Sequence, residues 1–441
     1  MAKRGWRSAN LSPDRRVFFG QGRGDVRSRA LAARVSASFG SRGGASTADL
    51  LFPLIFPPTL ISVTPNTGTS AGGTVVDLAG MNFQPGATVT FGGTPATVVS
   101  VAPTHIFVNT PAHVSGTVDV TVTNPDLQSS TLIGAYSYTF PSVIVGSGGT
   151  VALSSDDGLV WTPRVIPANS YSDVAWNGTV YCAIGQTAAG GAATSSDGIN
   201  WSAHVLGAPS GGGSWNRIAW NGTLFCTIAR NAADTATSPD GTTWTVHTGV
   251  LSSGNYGGIA SNGSIFVAVG NLGENATSSD GVTWVEHAGL PSGRNFTSVV
   301  WNADSGIFCT MPAFEAFFPN PGKSSISSDG ASWTTSVVPM SQAWLTGPTG
   351  IAWNGSVFVA VGIGQLAGAM TSPNGLLWTN RPSLNNTFEW TFVFWAGSVF
   401  VTGTAGGGQL LATSADNGVT WITQACPFVP SAGASPLIGE S

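Results

Sequence analysis

Charge is what this 441-residue chain has least of: only 8% of its residues are Asp, Glu, Lys or Arg. Between Arg42 and Arg164 there is no Lys or Arg, which excludes phosphate neutralisation by that stretch. Ten of the 16 cations lie in the first 42 residues, against Asp14 and Asp25 there, although the chain carries a net charge of −5. Cysteine is scarce as well. The four present show no metal-ligand spacing, so neither a disulfide framework nor a metal site is expected. Cys182 and Cys226 stand where other repeats place Val267, Val359 and Val401, and Cys309 lies in a matching strand. Small apolar residues in buried strands are the expectation for all three. No run of about 18 apolar residues is present to span a membrane. The N-terminus lacks the apolar core of a signal peptide, which predicts assembly in the cytosol. In place of helix-forming runs there are 59 Gly and 26 Pro, a composition suited to short strands and turns.

What is present is repetition. The phrase Ser-x-Asp/Asn-Gly-x-x-Trp, or a close variant, occurs seven times, ending at Trp161, Trp201, Trp244, Trp284, Trp333, Trp378 and Trp421, a period of 40 to 49 residues. A second phrase alternates with it, as in Val174-Ala175-Trp176-Asn177-Gly178, Ile218-Ala219-Trp220-Asn221-Gly222 and Ile351-Ala352-Trp353-Asn354-Gly355. Asn-Gly predicts a type I′ hairpin with φ > 0 at both central residues. Each cycle therefore reads as four short antiparallel strands, the unit of a β-propeller blade. The second phrase has only six copies, and the first unit, starting at Val143, lacks its inner strand. The segment after Trp421 must supply it, through Phe428-Val429 or Leu437-Ile438, if the ring is to close without an exposed edge.

The seven-fold phrase resembles the Asp-box, or BNR, repeat of sialidases and related propellers. Ser414-Ala415-Asp416-Asn417-Gly418-Val419-Thr420-Trp421 fits its full form, and Ser154 to Trp161 fits apart from Val160. The middle five lack one residue, and Asn374 replaces Asp in the sixth. The resemblance implies a structural role, with Asp and Ser bracing a hairpin and Trp filling the space between blades. Sialidases also use an arginine triad, a Tyr–Glu pair and an Asp. No motif gathers Arg164, Arg217, Arg230, Arg294 and Arg381 into such a site, and Glu274, Glu286, Glu315 and Glu389 show no pairing of the kind glycosidases need. No catalytic residue, cofactor or metal is expected, and the chain is not read as an enzyme.

Residues 57–140 resemble an IPT/TIG domain through Ile61-Ser62-Val63-Thr64-Pro65, Gly80-Met81-Asn82-Phe83, Val89-Thr90-Phe91-Gly92-Gly93 and Tyr136-Ser137-Tyr138. Val118 to Val122 alternates with period two, as an immunoglobulin-like sandwich requires. The expected fold is all-β: an extended basic N-terminal arm over 1–56, an Ig-like β-sandwich over 57–140 and a seven-bladed β-propeller over 141–441.

One aromatic position recurs five residues before the second-phrase Trp or its equivalent. It holds Tyr171, Trp215, Tyr256, Phe296 and Trp390, with Pro348 as the exception. These residues are the candidate binding site, a ring at one mouth of the channel. Packing between inner strands is the other reading. His204, His247 and His287 each follow a box Trp by three residues. Whole blades separate them, so they read as solvent-facing polar residues rather than a metal site. Arg23-Gly24-Asp25 matches an integrin-binding tripeptide, and Asn177-Gly178-Thr179 a glycosylation sequon. Both read as products of local composition.

Arm, sandwich and propeller together resemble the modular plan of tailed-bacteriophage virion proteins. That plan implies a non-enzymatic fibre, spike or capsid-decoration component located in the virion. Its arm, with Arg4, Arg7, Arg15, Arg16, Arg23, Arg27, Arg29, Arg34 and Arg42, would dock on other virion proteins, and its propeller would adsorb to host-surface polysaccharide. Membranes are not expected as partners, and nucleic acid is the lesser expectation for the arm. The alternatives are a bacterial carbohydrate-binding propeller and, behind it, a glycosidase.

Overall fold

The computed structural model describes residues 56–434, apart from 70–71, 114–115, 140, 148, 187–190, 253–254, 314–322, 338–345, 364–367, 386 and 405–408. The basic arm and the Arg-Gly-Asp tripeptide lie outside the described residues. No helix among those residues is long and apolar enough to cross a membrane.

Two sheets form the sandwich. One pairs Thr59–Thr64, Val75–Met81, His105–Asn109 and Thr97–Ala102, in that order. The other runs Thr67–Thr69, Ser129–Thr139, Gly116–Thr123, Thr88–Phe91 and Thr94–Pro95. Alternation places Val76, Leu78, Ile106 and Val108 of the first sheet against Val89, Phe91, Val120 and Val122 of the second. Phe91 meets Tyr136 edge-on at 4.9 Å, and Tyr136 meets Tyr138 at 5.0 Å, closing one end of this core.

The rest of the described chain forms seven four-stranded antiparallel sheets. Their inner strands are Val429–Ala434, Tyr171–Trp176, Ser214–Trp220, Tyr256–Ser261, Asn295–Asn302, Thr346–Trp353 and Trp390–Trp395, for blades 1 to 7. Each touches the next in cyclic order, and the last touches the first, so the ring is closed. The closing strand pairs with Ser142–Ser147, Val143 opposite Ala434 and Val145 opposite Ala432. Phe428-Val429 is thus the pair that leads into it, while Leu437-Ile438 lies outside the described residues. Seven apolar clusters, one at each junction between neighbouring blades, hold the ring.

Each box hairpin joins the third strand of its blade to the outer one. In blade 4, Ser278 Oγ accepts the Gly281 N–H and donates to Asp280, whose carboxylate accepts the Val282 and Thr283 N–H groups. The Trp284 indole N–H returns to the Gly281 carbonyl. Blade 1 corrects the sequence reading. Its brace is Ser155 with Asp157, taking the N–H groups of Gly158, Leu159 and Val160, so its box is the short form and Asp156 is the spacer. Only the seventh box is long, with Asn417 inserted at φ 60°.

Close packing explains the box glycine. A side chain at Gly281 would sit 2.7 Å from Thr237 and 3.0 Å from Cys226 Sγ, both in blade 3. Cys182, Cys226 and Cys309 therefore point at the next blade's hairpin, buried and free as thiols. Burial pushes all three thiols well above their ordinary range.

The Asn-Gly loops are not type I′ turns. Four residues separate Trp176 from its partner Tyr181, and only Gly178 has φ > 0. The Asn177 side chain does the rest, its Oδ1 accepting the N–H groups of Thr179 and Val180. A side-chain acceptor relieves the asparagine of the left-handed conformation a two-residue loop would demand.

Candidate functional site: the two mouths of the propeller

The inner strands carry aromatic residues at both ends, and the two ends differ in what covers them. At the start of the strand the proposed binding ring is buried: Tyr171 and Tyr256 are 2% exposed, Trp215, Phe296 and Trp390 0%. Each belongs to a junction cluster shared with the preceding blade. Loops seal them in. The indole N–H of Trp215 donates to the Gly207 carbonyl, that of Trp390 to Asn385, and the Tyr171 hydroxyl to Pro167. The expectation that these five residues face a ligand is corrected: they are packing. The register shifts just after the aromatic in each case. This bulge lets hydroxyls reach the next blade, as when Ser172 Oγ donates to the Trp215 carbonyl at 2.9 Å.

At the other end stand Trp176, Trp220, Trp301, Trp353 and Trp395, all half-buried. Each leans on the first aromatic of its second strand, Tyr181, Phe225, Phe308, Phe358 or Phe400, at 4.4 to 4.9 Å between centroids. Blade 4 has buried Ser261 in this place, and blade 1 reaches it with the closing strand. The turns that follow these tryptophans share their side of the ring with the box hairpins. Asn221 donates to the Ser279 carbonyl of the next blade, and Ser398 to that of Asp157. The accessible aromatic ring is therefore at the turn mouth. The signal for it, the Trp of the Trp-Asn-Gly phrase, was present in the sequence but served only as a repeat marker.

The box carboxylates are committed to their hairpins. N–H groups of Thr243 and Thr242 hold Asp240 at about 2, and those of Ser332 and Ala331 hold Asp329 at about 2. Asp156, the spacer in blade 1, goes the other way, raised by burial and by Asp157 against the pull of Arg164. It lines a hollow of about 170 Å³ with Ser154, Ser155, Asp157, Val160, Thr162 and Arg164. Asp157 spends its Oδ1 on the hairpin, where it accepts the Leu159 and Val160 N–H groups.

His204, His247 and His287 are each spent locally. Their Nε2 atoms lie 2.7 to 2.9 Å from the Thr194, Thr237 and Thr277 hydroxyls on the neighbouring strand. Arg381 and Arg164 make the same cross-strand contact to Thr371 and Ser154. The histidines are half-buried rather than fully solvent-facing. No group of three metal-ligating side chains occurs among the described residues.

Among solved structures, virginiamycin B lyase from Staphylococcus aureus is similar, at 11% identity and TM-score 0.48, over 58% of this chain and 85% of that one. An auxiliary nutrient binding protein from Bacteroides thetaiotaomicron is similar at 11% identity and TM-score 0.38, over 79% and 95%. Neither likeness bears on function. Human Fibrocystin-L is 38% identical over 66 residues, 15% of this chain and 2% of its own length. Residues 58–140, the span of the sandwich, match the IPT/TIG domain family.

Proposed function

We propose that the chain is a non-catalytic binding protein whose propeller takes neutral glycans across its turn mouth. The observation that carries this reading is the same half-buried indole at the same mouth in five of the seven blades. A sugar ring presents apolar C–H faces and a hydroxyl edge, which suit an apolar indole framed by amide and hydroxyl groups. Repeated weak contacts add up on a repeating polymer. A chain with 8% charged residues offers little to an anionic ligand. Binding is favoured over hydrolysis because the box carboxylates brace backbone and are held ionised. The carbohydrate-binding alternative is thus carried forward. The virion reading rests on arm, sandwich and propeller together, and of these the arm lies outside the described residues.

The test is binding of the full chain to immobilised dextran, mannan, β-1,3-glucan and polygalacturonate, with melting followed in parallel. Neutral polymers should bind, and the double variant Trp220→Ala, Trp395→Ala should bind at least about tenfold more weakly. Failure of every neutral polymer to bind, or full binding by the double variant, would contradict the proposal.

A further inference from the structure

We infer that the turn mouth holds one primary sugar subsite, at Trp353 in blade 6, bounded by Asp304 and Asn417; this rests on the glycan reading above. Two departures from the repeat meet there. Four residues close the turn in blades 2, 3, 4, 6 and 7, but in blade 5 six residues separate Trp301 from Phe308. The longer turn carries Asp304, whose Oδ2 accepts the Trp353 indole N–H at 3.0 Å. Six boxes are short and the seventh is long, and its extra residue is Asn417. The Asn417 Oδ1 accepts the Asn354 amide, next to Trp353, at 2.8 Å. One insertion comes from the preceding blade and the other from the following one, and both reach blade 6. In repeat proteins, insertions map to loops on one face, which is often the binding face.

The chemistry of the subsite follows from its atoms. Trp353 leans on Phe358 at 4.4 Å and is half-buried, which fixes its indole as a platform. Asp304 is exposed, and no described residue bonds its Oδ1, so that oxygen can accept from a sugar hydroxyl. The exposed Asn417 offers its Nδ2 as donor to a neighbouring oxygen. Platform, acceptor and donor on successive blades suit a neutral pyranose with adjacent hydroxyls. The Asp304 charge repels a uronate.

Three full-length variants are compared with the parent on the neutral polymer it binds best and on polygalacturonate. Asp304→Asn keeps the shape and removes the charge. Asn417→Gly keeps the left-handed backbone and removes the amide. Trp176→Ala removes a ring member from a blade without insertions. The first two should each weaken neutral binding by about tenfold with unchanged melting, and Trp176→Ala should weaken it less. Asp304→Asn should also narrow the preference for the neutral polymer over polygalacturonate. Equal losses in all three, or parent-like binding by Asp304→Asn and Asn417→Gly, would overturn the subsite and leave the glycan reading in place. A parent that binds no neutral polymer would remove the reading beneath it.

Discussion

Trp215 and Trp220 lie on one strand, five residues apart, and behave in opposite ways. In an unbroken strand an odd spacing puts two side chains on opposite faces. The bulge between Trp215 and Arg217 restores them to the same face, where both join the cluster between blades 2 and 3. The loop at Gly207 takes the indole N–H of Trp215, which is fully buried, while Trp220 stays half-buried. Periodicity in the sequence picked out the aromatic position of Trp215 but carried no sign of that cover, so a buried ring was read as a candidate binding site. Trp215→Ala should therefore cost about 3–5 kcal/mol of stability, the range for a fully buried aromatic, with glycan affinity unchanged in the protein that still folds. Denaturant unfolding and polymer binding on the same sample check this. A stable variant with lost affinity would return the site to the loop mouth.

The box hairpin was legible as an element because Ser, Asp, Gly and Trp each have a separate duty in it. Its register in blade 1 was not, since Ser154-Ser155 and Asp156-Asp157 offer two readings and only the N–H groups of Leu159 and Val160 decide for Asp157. The Asn-Gly loops were placed correctly, but the turn type was misread because the sequence does not reveal that the Asn side chain takes over two N–H bonds. The boxes also set a pH dependence. Asp240 and Asp329 titrate at about 2 when folded, below the ordinary value of 3.8. The native state then binds fewer protons than the unfolded chain between those values, so stability rises with pH there. Their contribution is complete above about pH 4 and is lost as pH falls toward 2. The melting temperature should fall as pH drops from about 4 toward 2. A profile that is level between about pH 4 and 2 would show that the braces do not stabilise the hairpins.

Across the whole molecule, the count of seven boxes against six inner-strand phrases already implied a closing strand from the C-terminal segment. Which residues form it was less evident, because Pro430 argues against a strand. The ring accepts it because the closing strand is the inner edge of its sheet and the register shifts opposite Pro430, at Gly146. A side chain at Gly146 would sit 2.2 Å from the Val429 carbonyl, so glycine is required for that close approach. What no repeat count shows is that the turn of blade 5 and the box of blade 7 both reach into blade 6. That convergence is a property of the closed ring, in which blades 5 and 7 flank blade 6, and only the bonds from Asp304 and Asn417 reveal it.

The central claim, that glycans meet the indoles of the turn mouth and not those of the loop mouth, is tested most directly by residue-resolved oxidative footprinting of tryptophan. The full chain is labelled with and without saturating amounts of its best-binding neutral polymer. Trp176, Trp220, Trp301, Trp353 and Trp395 should react in the free protein and be protected by the polymer, Trp353 most of all. Trp215 and Trp390 should be unreactive in both samples. Reactive Trp215 and Trp390 that the polymer protects, with no change at the other five, would contradict the account.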